Sequence, residues 1–183
     1  EDVKWRMDPT TPKRLQKIKD SIPAAVEAAN QGMMISQRVA GGYMYLRSLM
    51  GPLELLYMVC DNPELIHDCM QTWFNLADAV ITEHQKHVTI DEIFFGEDIC
   101  FKSGPLISPD MMNEFLIPYY HQLISNLKSR QLDKQRHLYV QIDTDGFCDP
   151  TIPVYMKGIG MDVMSPFEVA SNCDVVRTGK EYP

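Results

Sequence analysis

The sequence predicts an α/β fold in which helices alternate with the strands of a parallel sheet. Segments with helical spacing of apolar residues alternate with short apolar runs, in the order helix then strand, four times over. Strands separated by helices of this length join through right-handed crossovers and lie parallel. The 183 residues are 45% hydrophobic and 23% charged, which is typical of a globular chain. We therefore expect a single domain, or part of one, over residues 1–183.

The first half of the chain is predicted to hold one strand among amphipathic helices. The predicted elements are one helix or two short ones over 10–31, with Pro23 as a kink or break, a strand over 33–39, a helix over 46–60 interrupted at Gly51, and a helix over 61–88. The run Asp61-Asn62-Pro63-Glu64 begins the last helix with an Asx cap, an early proline and an acid that faces the helix dipole. Trp73 lies on the apolar stripe of that helix, so we expect it in the core.

The second half is predicted to hold three more strands. The predicted elements are a strand over 93–95, a helix that begins at Ser108 and bends at Pro118, a strand over 138–142, a short helix over 150–157 ended by Gly158, and a strand over 161–164. Ser108-Pro109-Asp110 repeats the cap, proline and acid that begin the preceding long helix. The alternation therefore continues through the second half of the chain.

Acidic residues follow each of these three strands. They are Glu97 and Asp98, then Asp143 and Asp145, then Glu168. The C-terminal ends of parallel strands lie along one edge, so these side chains are expected to converge there. An acid after a strand is also a common helix N-cap, and that alternative stays open. Clustered carboxylates can hold a hard cation, bind substrate N–H and O–H groups, or act as general acid and base.

Composition and motifs exclude several classes of function. The net charge of −8, from 25 acids and 17 bases without a basic block, argues against a nucleic-acid partner. No apolar run approaches the roughly 18 residues of a membrane span, and we predict a cytoplasmic protein without a membrane partner. The five cysteines form no C-x-x-C pair and are odd in number, so they are expected to be reduced, buried thiols rather than a disulfide framework. Nucleotide-binding, hydrolase and zinc-protease motifs are absent.

Several runs of residues match one family pattern when they are taken together. They are Gly96-Glu97-Asp98 and residues 104–112, 115–120, 143–146, 160–169 and 174–177. In this combination the chain, from about Gly51 onward, resembles the uroporphyrinogen decarboxylase superfamily. The resemblance implies a (β/α)8 TIM barrel, of which this chain would be a partial segment with about four βα units.

The superfamily resemblance implies one of two chemistries. One is decarboxylation of the acetate arms of a porphyrinogen without a cofactor, and the other is methyl transfer that involves a corrinoid on a partner protein. The arginine-rich motif and early-strand aspartate of the decarboxylases have no counterpart here. The zinc-dependent methyltransferases carry His-x-Cys where this chain carries Gln141-x-Asp143, so zinc bound in that manner is not expected. Acidic strand ends are unfavourable for a polycarboxylate, which favours the methyltransferase-like branch.

Candidate site residues follow from the strand ends and the resemblance. The catalytic candidates are Asp98, Asp143 and Asp145, and the last two would polarise or protonate a substrate heteroatom. The substrate-binding candidates are Glu97, Lys102, Gln141, Glu168 and Arg177. No metal ligands are assigned. The expected partners are a small-molecule substrate and a corrinoid protein.

Two alternatives to methyl transfer stay open at the level of sequence. One is the decarboxylase itself, with Asp98 and its loop lining the macrocycle site. The other is a barrel segment that has no activity alone and needs a partner or a missing half. About four strands cannot close a barrel, and exposed sheet edges invite pairing with another chain, a homodimer included.

Overall fold

A four-stranded parallel sheet organises the chain in the computed structural model, which describes residues 4–183. The strands are β1 (Ser36–Ala40), β2 (Glu92–Gly96), β3 (Cys100–Phe101), β4 (Gly104–Pro105), β5 (Tyr139–Asp143) and β6 (Val163–Ser165). The main sheet has the order β1-β2-β5-β6, and every neighbouring pair in it is parallel. Strands β3 and β4 form a separate antiparallel hairpin. The predicted parallel α/β architecture is confirmed.

Eight α-helices connect and flank the strands of the described chain. They are α1 (Pro12–Asn30), α2 (Gly42–Met50), α3 (Pro52–Asp61), α4 (Pro63–Gln85), α5 (Pro109–Phe115), α6 (Ile117–Arg130), α7 (Ile152–Ile159) and α8 (Val175–Glu181). The predicted caps of α4 and α5 are present, because Asn62 accepts from the Leu65 N–H and Ser108 accepts from the Met111 N–H. Within residues 4–183, none of the helices combines the length and hydropathy that crossing a bilayer requires.

Two predicted element boundaries, the start of β1 and the end of α7, were wrong. Strand β1 begins at Ser36 rather than at Met33, because the sheet register starts where Ser36 faces Glu92. Gly158 does not end α7, which continues to Ile159 and is closed by Gly160 in the left-handed conformation (φ 65°). A Cβ on Gly158 would lie 2.6 Å from Cγ2 of Ile117, so this glycine permits close packing of α7 on α6.

The two prolines inside predicted helices have different outcomes. Pro23 lies inside α1 without ending it, so this segment forms one helix rather than two short ones. Pro118 does not bend one long helix, because the chain forms two helices, α5 and α6, with Leu116 between them. Pro118 is the second residue of α6, a position where the missing N–H costs no intrahelical hydrogen bond.

The two faces of the main sheet differ in burial. Ile93, Phe95, Val140 and Ile142 have no exposed surface and lie in the hydrophobic core. The alternate residues of the same strands, such as Phe94 and Gln141, are only half-buried. Because parallel sheets are usually covered on both faces, this uneven burial is a distinctive feature of the fold.

Trp73 helps to anchor the buried face beneath the end of β1. Its side chain is 4% exposed, and its indole N–H donates to the Ala40 carbonyl at 2.8 Å. The ring packs against Tyr120, which in turn stacks on Phe95 with ring centroids 4.7 Å apart. The core position predicted for Trp73 is confirmed.

Candidate functional site

Four carboxylates lie together along the C-terminal edge of the main sheet, and we call them the acidic edge: Asp98, Asp143, Asp145 and Glu168. The Glu97 and Asp98 N–H groups donate to the Asp143 carbonyl at 2.8 and 3.2 Å, which joins the end of β2 to the end of β5. Partial burial raises the pKa of Asp145, and the charges of Glu168, Asp98 and Asp143 raise it further. The tertiary structure therefore gathers acids that follow three different strands.

Two successive side-chain hydrogen bonds on the half-buried face of the main sheet hold Asp143. The Gln141 amide donates to the Ser165 Oγ at 3.0 Å, and the Ser165 hydroxyl donates to the Asp143 Oδ1 at 3.3 Å. These contacts leave the second oxygen of Asp143 without a protein partner among residues 4–183. Sequence reasoning missed Ser165 as a site residue, although it ends β6 as Asp143 ends β5.

Asp98 is paired with a cation that sequence reasoning missed. The Arg47 Nη1 of α2 lies 3.0 Å from the Asp98 Oδ2, and both side chains are about one-third exposed. Asp98 adopts φ 45°, a left-handed conformation that costs a non-glycine residue about 1 kcal/mol. Arg47 thus supplies a positive charge at the acidic edge, and nothing in the local sequence around Asp98 indicates it.

Glu168 has a structural role in the loop after β5. Its Oε2 accepts from the Gly146 N–H at 2.7 Å and from the Ser171 hydroxyl at 3.1 Å. Gly146 has φ 85°, and a Cβ there would lie 2.7 Å from the Phe101 carbonyl oxygen. Glu168 therefore holds a turn that needs glycine, and it joins the loops after β5 and β6.

Glu97 lies behind the acidic edge rather than on it. The side chain is fully buried, its Oε1 accepts from the Tyr43 N–H at 2.8 Å, and its Oε2 accepts from the Tyr120 hydroxyl. The Tyr120 oxygen also accepts from the Gly42 N–H. The prediction that Glu97 binds substrate is not supported by this geometry, because both carboxylate oxygens are used inside the protein.

The two basic residues predicted to bind substrate, Lys102 and Arg177, form no ion pair with the acidic edge. Lys102 is exposed on the turn between β3 and β4, and it forms no ion pair among the contacts of residues 4–183. Arg177 of α8 pairs with Asp149 and approaches Glu181 at 4.0 Å. Arg47 is therefore the base that contacts the acidic edge directly in the described part of the chain.

The raised pKa of the buried Glu97 carboxyl predicts that the stability of the fold depends on pH. Burial raises its pKa from 4.5 to about 7, against the opposing hydrogen bonds from Tyr120 and Tyr43. Between these values the folded chain keeps a proton that the unfolded chain has lost, so the free energy of unfolding falls as pH rises. The loss is at most about 3 kcal/mol and is complete above about pH 7.

Urea unfolding at a series of pH values, on the wild type and on Glu97→Gln, measures this effect. Glutamine resembles the protonated carboxyl, so the variant should lack the decline between about pH 4.5 and pH 7. Other titrating groups contribute equally to both proteins and cancel in the difference. Parallel stability curves for the two proteins would contradict the assignment.

A second cluster lies in the loops that follow β5 and β6. The cluster contains Cys148, Asp149 and Cys173, whose sulfur and carboxylate oxygen atoms lie within 4.8 Å of one another. Burial raises the pKa of the Cys148 thiol to about 12. The expected burial holds for Cys148 and Cys173, whereas Cys60 is exposed.

Comparison with models of known protein families finds no match to this chain. Comparison with curated proteins finds no match either. The sequence runs described above and the geometry of the acidic edge are therefore the basis for proposing a function.

Proposed function

We propose that this chain contributes to a (β/α)8 barrel of the uroporphyrinogen decarboxylase superfamily and acts in methyl transfer from an amine or an ether. The observation that carries the proposal is the acidic edge, where four carboxylates from three strand ends meet. Active sites of such barrels lie at the C-terminal ends of their strands. The acidic edge occupies the equivalent position of the parallel sheet.

The form of the sheet supports a barrel segment. Its four strands follow one another in chain order, all parallel, without the reversal of strand order that marks a doubly wound sheet. In the central strands β2 and β5 one face is fully buried, while the other carries half-buried residues such as Phe94, Gln141 and Asp143. This pattern suits a sheet whose second face lines the interior of a barrel.

The charge of the acidic edge supports a cationic or ether methyl donor. Negative carboxylates attract a methylated ammonium group and repel a porphyrinogen with its many carboxylates. Arg47 is the base in contact with the edge, and Asp98 already neutralises it. Decarboxylation of a porphyrinogen is accordingly the less favoured activity.

The proton needed for methyl transfer from an ether can come from Asp145. As the carbon–oxygen bond breaks, its electron pair stays on oxygen, and a protonated carboxyl donates the proton that this oxygen takes up. Asp145 is exposed at the acidic edge, and its pKa is raised by desolvation and by the charges of Glu168, Asp98 and Asp143. Asp143, held by Ser165, is the second candidate for this proton transfer.

The methyl acceptor in the superfamily resemblance is a corrinoid on a partner protein, which would supply the nucleophile when bound. Three of the five histidines make side-chain contacts elsewhere: His67 contacts Tyr119, His84 contacts Gln37 and His137 contacts Asp162. The other two, His87 and His121, are exposed. The acidic edge thus provides groups for the methyl donor.

A pair of assays on the protein tests the proposal. Tetramethylammonium or an aryl methyl ether, incubated with the protein and chemically reduced cobalamin, should yield methylcobalamin measured by absorbance. Uroporphyrinogen incubated under the same conditions should keep all its carboxylates, measured by chromatography. Loss of those carboxylates would establish the decarboxylase instead, and failure of both reactions would overturn an independent catalytic role.

A further inference from the structure

Two cysteines that lie far apart in sequence meet beneath the acidic edge. Cys148 follows β5, Cys173 follows β6, and their Sγ atoms are 3.8 Å apart. Both side chains are buried, at 0% and 5% exposure. The contact joins the same two loops that Glu168 joins through Gly146.

The sulfur separation fits two ligands of one tetrahedral ion. Zinc–thiolate bonds of about 2.3 Å at a tetrahedral angle place two sulfur atoms about 3.8 Å apart. The observed distance between Cys148 and Cys173 is 3.8 Å. The two side chains are therefore already spaced for coordination without a change in the backbone.

Asp149 provides a third ligand and an independent reason to expect a cation. Its Oδ1 is buried and has no hydrogen-bond partner among the described residues. Its Oδ2 accepts from Arg177, so the carboxylate is held in a fixed orientation. A buried acceptor without a partner is costly, and carboxylates that bind metals are commonly held by a second hydrogen bond in this way.

We propose that Cys148, Asp149 and Cys173 bind a divalent cation of the zinc class. On binding, each thiol releases its proton to solvent and each sulfur donates a lone pair to the ion. Three protein ligands leave one tetrahedral position for water. The ion would fasten the loop after β5 to the loop after β6, in place of the hydrogen bond that the Cys173 thiol donates to the Gly146 carbonyl.

This site is distinct from the zinc position of the methyltransferase resemblance. That position corresponds to Gln141 and Asp143, which are connected to each other through Ser165. The proposed ion lies in the loops beyond the strand ends, and its ligands are Cys148, Asp149 and Cys173. The inference therefore does not depend on the proposed function.

Cobalt titration of the protein tests the metal site directly. The protein is reduced with a phosphine, treated with a chelator, desalted and titrated with Co²⁺ while thiolate-to-cobalt charge-transfer absorbance is recorded. We expect one Co²⁺ per chain, displaced by equimolar Zn²⁺. Cys148→Ser and Cys173→Ser should each weaken binding at least about 100-fold, and Asp149→Asn about 10-fold. Cys60→Ser is the matched control, because Cys60 is exposed, and it should bind like the wild type.

A second measurement needs no variant and covers the case in which a serine variant fails to fold. X-ray absorption of the zinc-loaded wild type should show two sulfur neighbours at about 2.3 Å. Absence of the charge-transfer band, a zinc shell of oxygen and nitrogen alone, or unchanged affinity in folded Cys148→Ser would overturn the proposal. A Cys148–Cys173 disulfide that persists under these reducing conditions would also overturn it.

Discussion

Gly41→Ala is expected to lower the free energy of unfolding by about 3 kcal/mol. A Cβ at this position would lie 2.8 Å from the Cα of Glu97 and would also overlap the Glu97 carboxylate. Neither backbone segment can move easily, because the Gly41 N–H donates to Gly96 and the Glu97 N–H donates to Asp143. The substitution must therefore displace the buried carboxylate, its hydrogen bonds or the end of β1. Urea unfolding of the variant and the wild type measures the difference.

Gly179→Ala is the matched control for this prediction. Gly179 lies in α8, and a Cβ there meets no atom within 4 Å. Alanine has the higher helix propensity, so the control should be unchanged or more stable by up to about 1 kcal/mol. If Gly41→Ala unfolded at the same urea concentration as the control, the close approach of β1 to Glu97 would be wrong.

Asp143→Asn is expected to lower the rate constant of methyl transfer about 100-fold, the lower range for loss of a positioned acid or base. The substitution removes the charge but keeps an oxygen that can accept from Ser165. The fold should therefore persist while proton transfer to the substrate heteroatom is lost. Formation of methylcobalamin measures activity, and circular dichroism confirms that the variant is folded.

Asp20→Asn is the control for this charge change. Asp20 lies in α1, where it accepts from the Gln16 amide, and it is exposed. Its rate constant should stay within about twofold of the wild type, since surface substitutions away from a site have small effects. A fully active Asp143→Asn would remove Asp143 from the site and leave Asp145 as the remaining catalytic candidate after β5.

The meeting of the acids at one edge is predictable from sequence. Apolar runs that end in Asp98, Asp143 and Glu168 alternate with helices, and this alternation requires parallel strands. Parallel strands place their C-terminal ends along one edge whatever the details of packing. The prediction depended on the order of helices and strands and on the spacing of apolar residues, which can be read along the chain.

Partners from distant segments could not be predicted in the same way. Arg47 meets Asp98, and Ser165 meets Asp143, across 51 and 22 residues. Cys148 and Cys173 meet across 25 residues. Each contact depends on how a helix or loop packs on the sheet, and no residue adjacent in sequence carries that information.

Glu97 and Asp98 show most clearly which features follow from sequence and which depend on tertiary structure. The sequence by itself determined that two carboxylates leave β2 together, within a parallel α/β chain whose strand ends share one edge. Only the tertiary structure decided that Glu97 turns inward to Tyr43 and Tyr120 while Asp98 turns outward to Arg47. The physical reason is that burial and charge pairing depend on α2 and α6, which pack against this edge from distant parts of the chain.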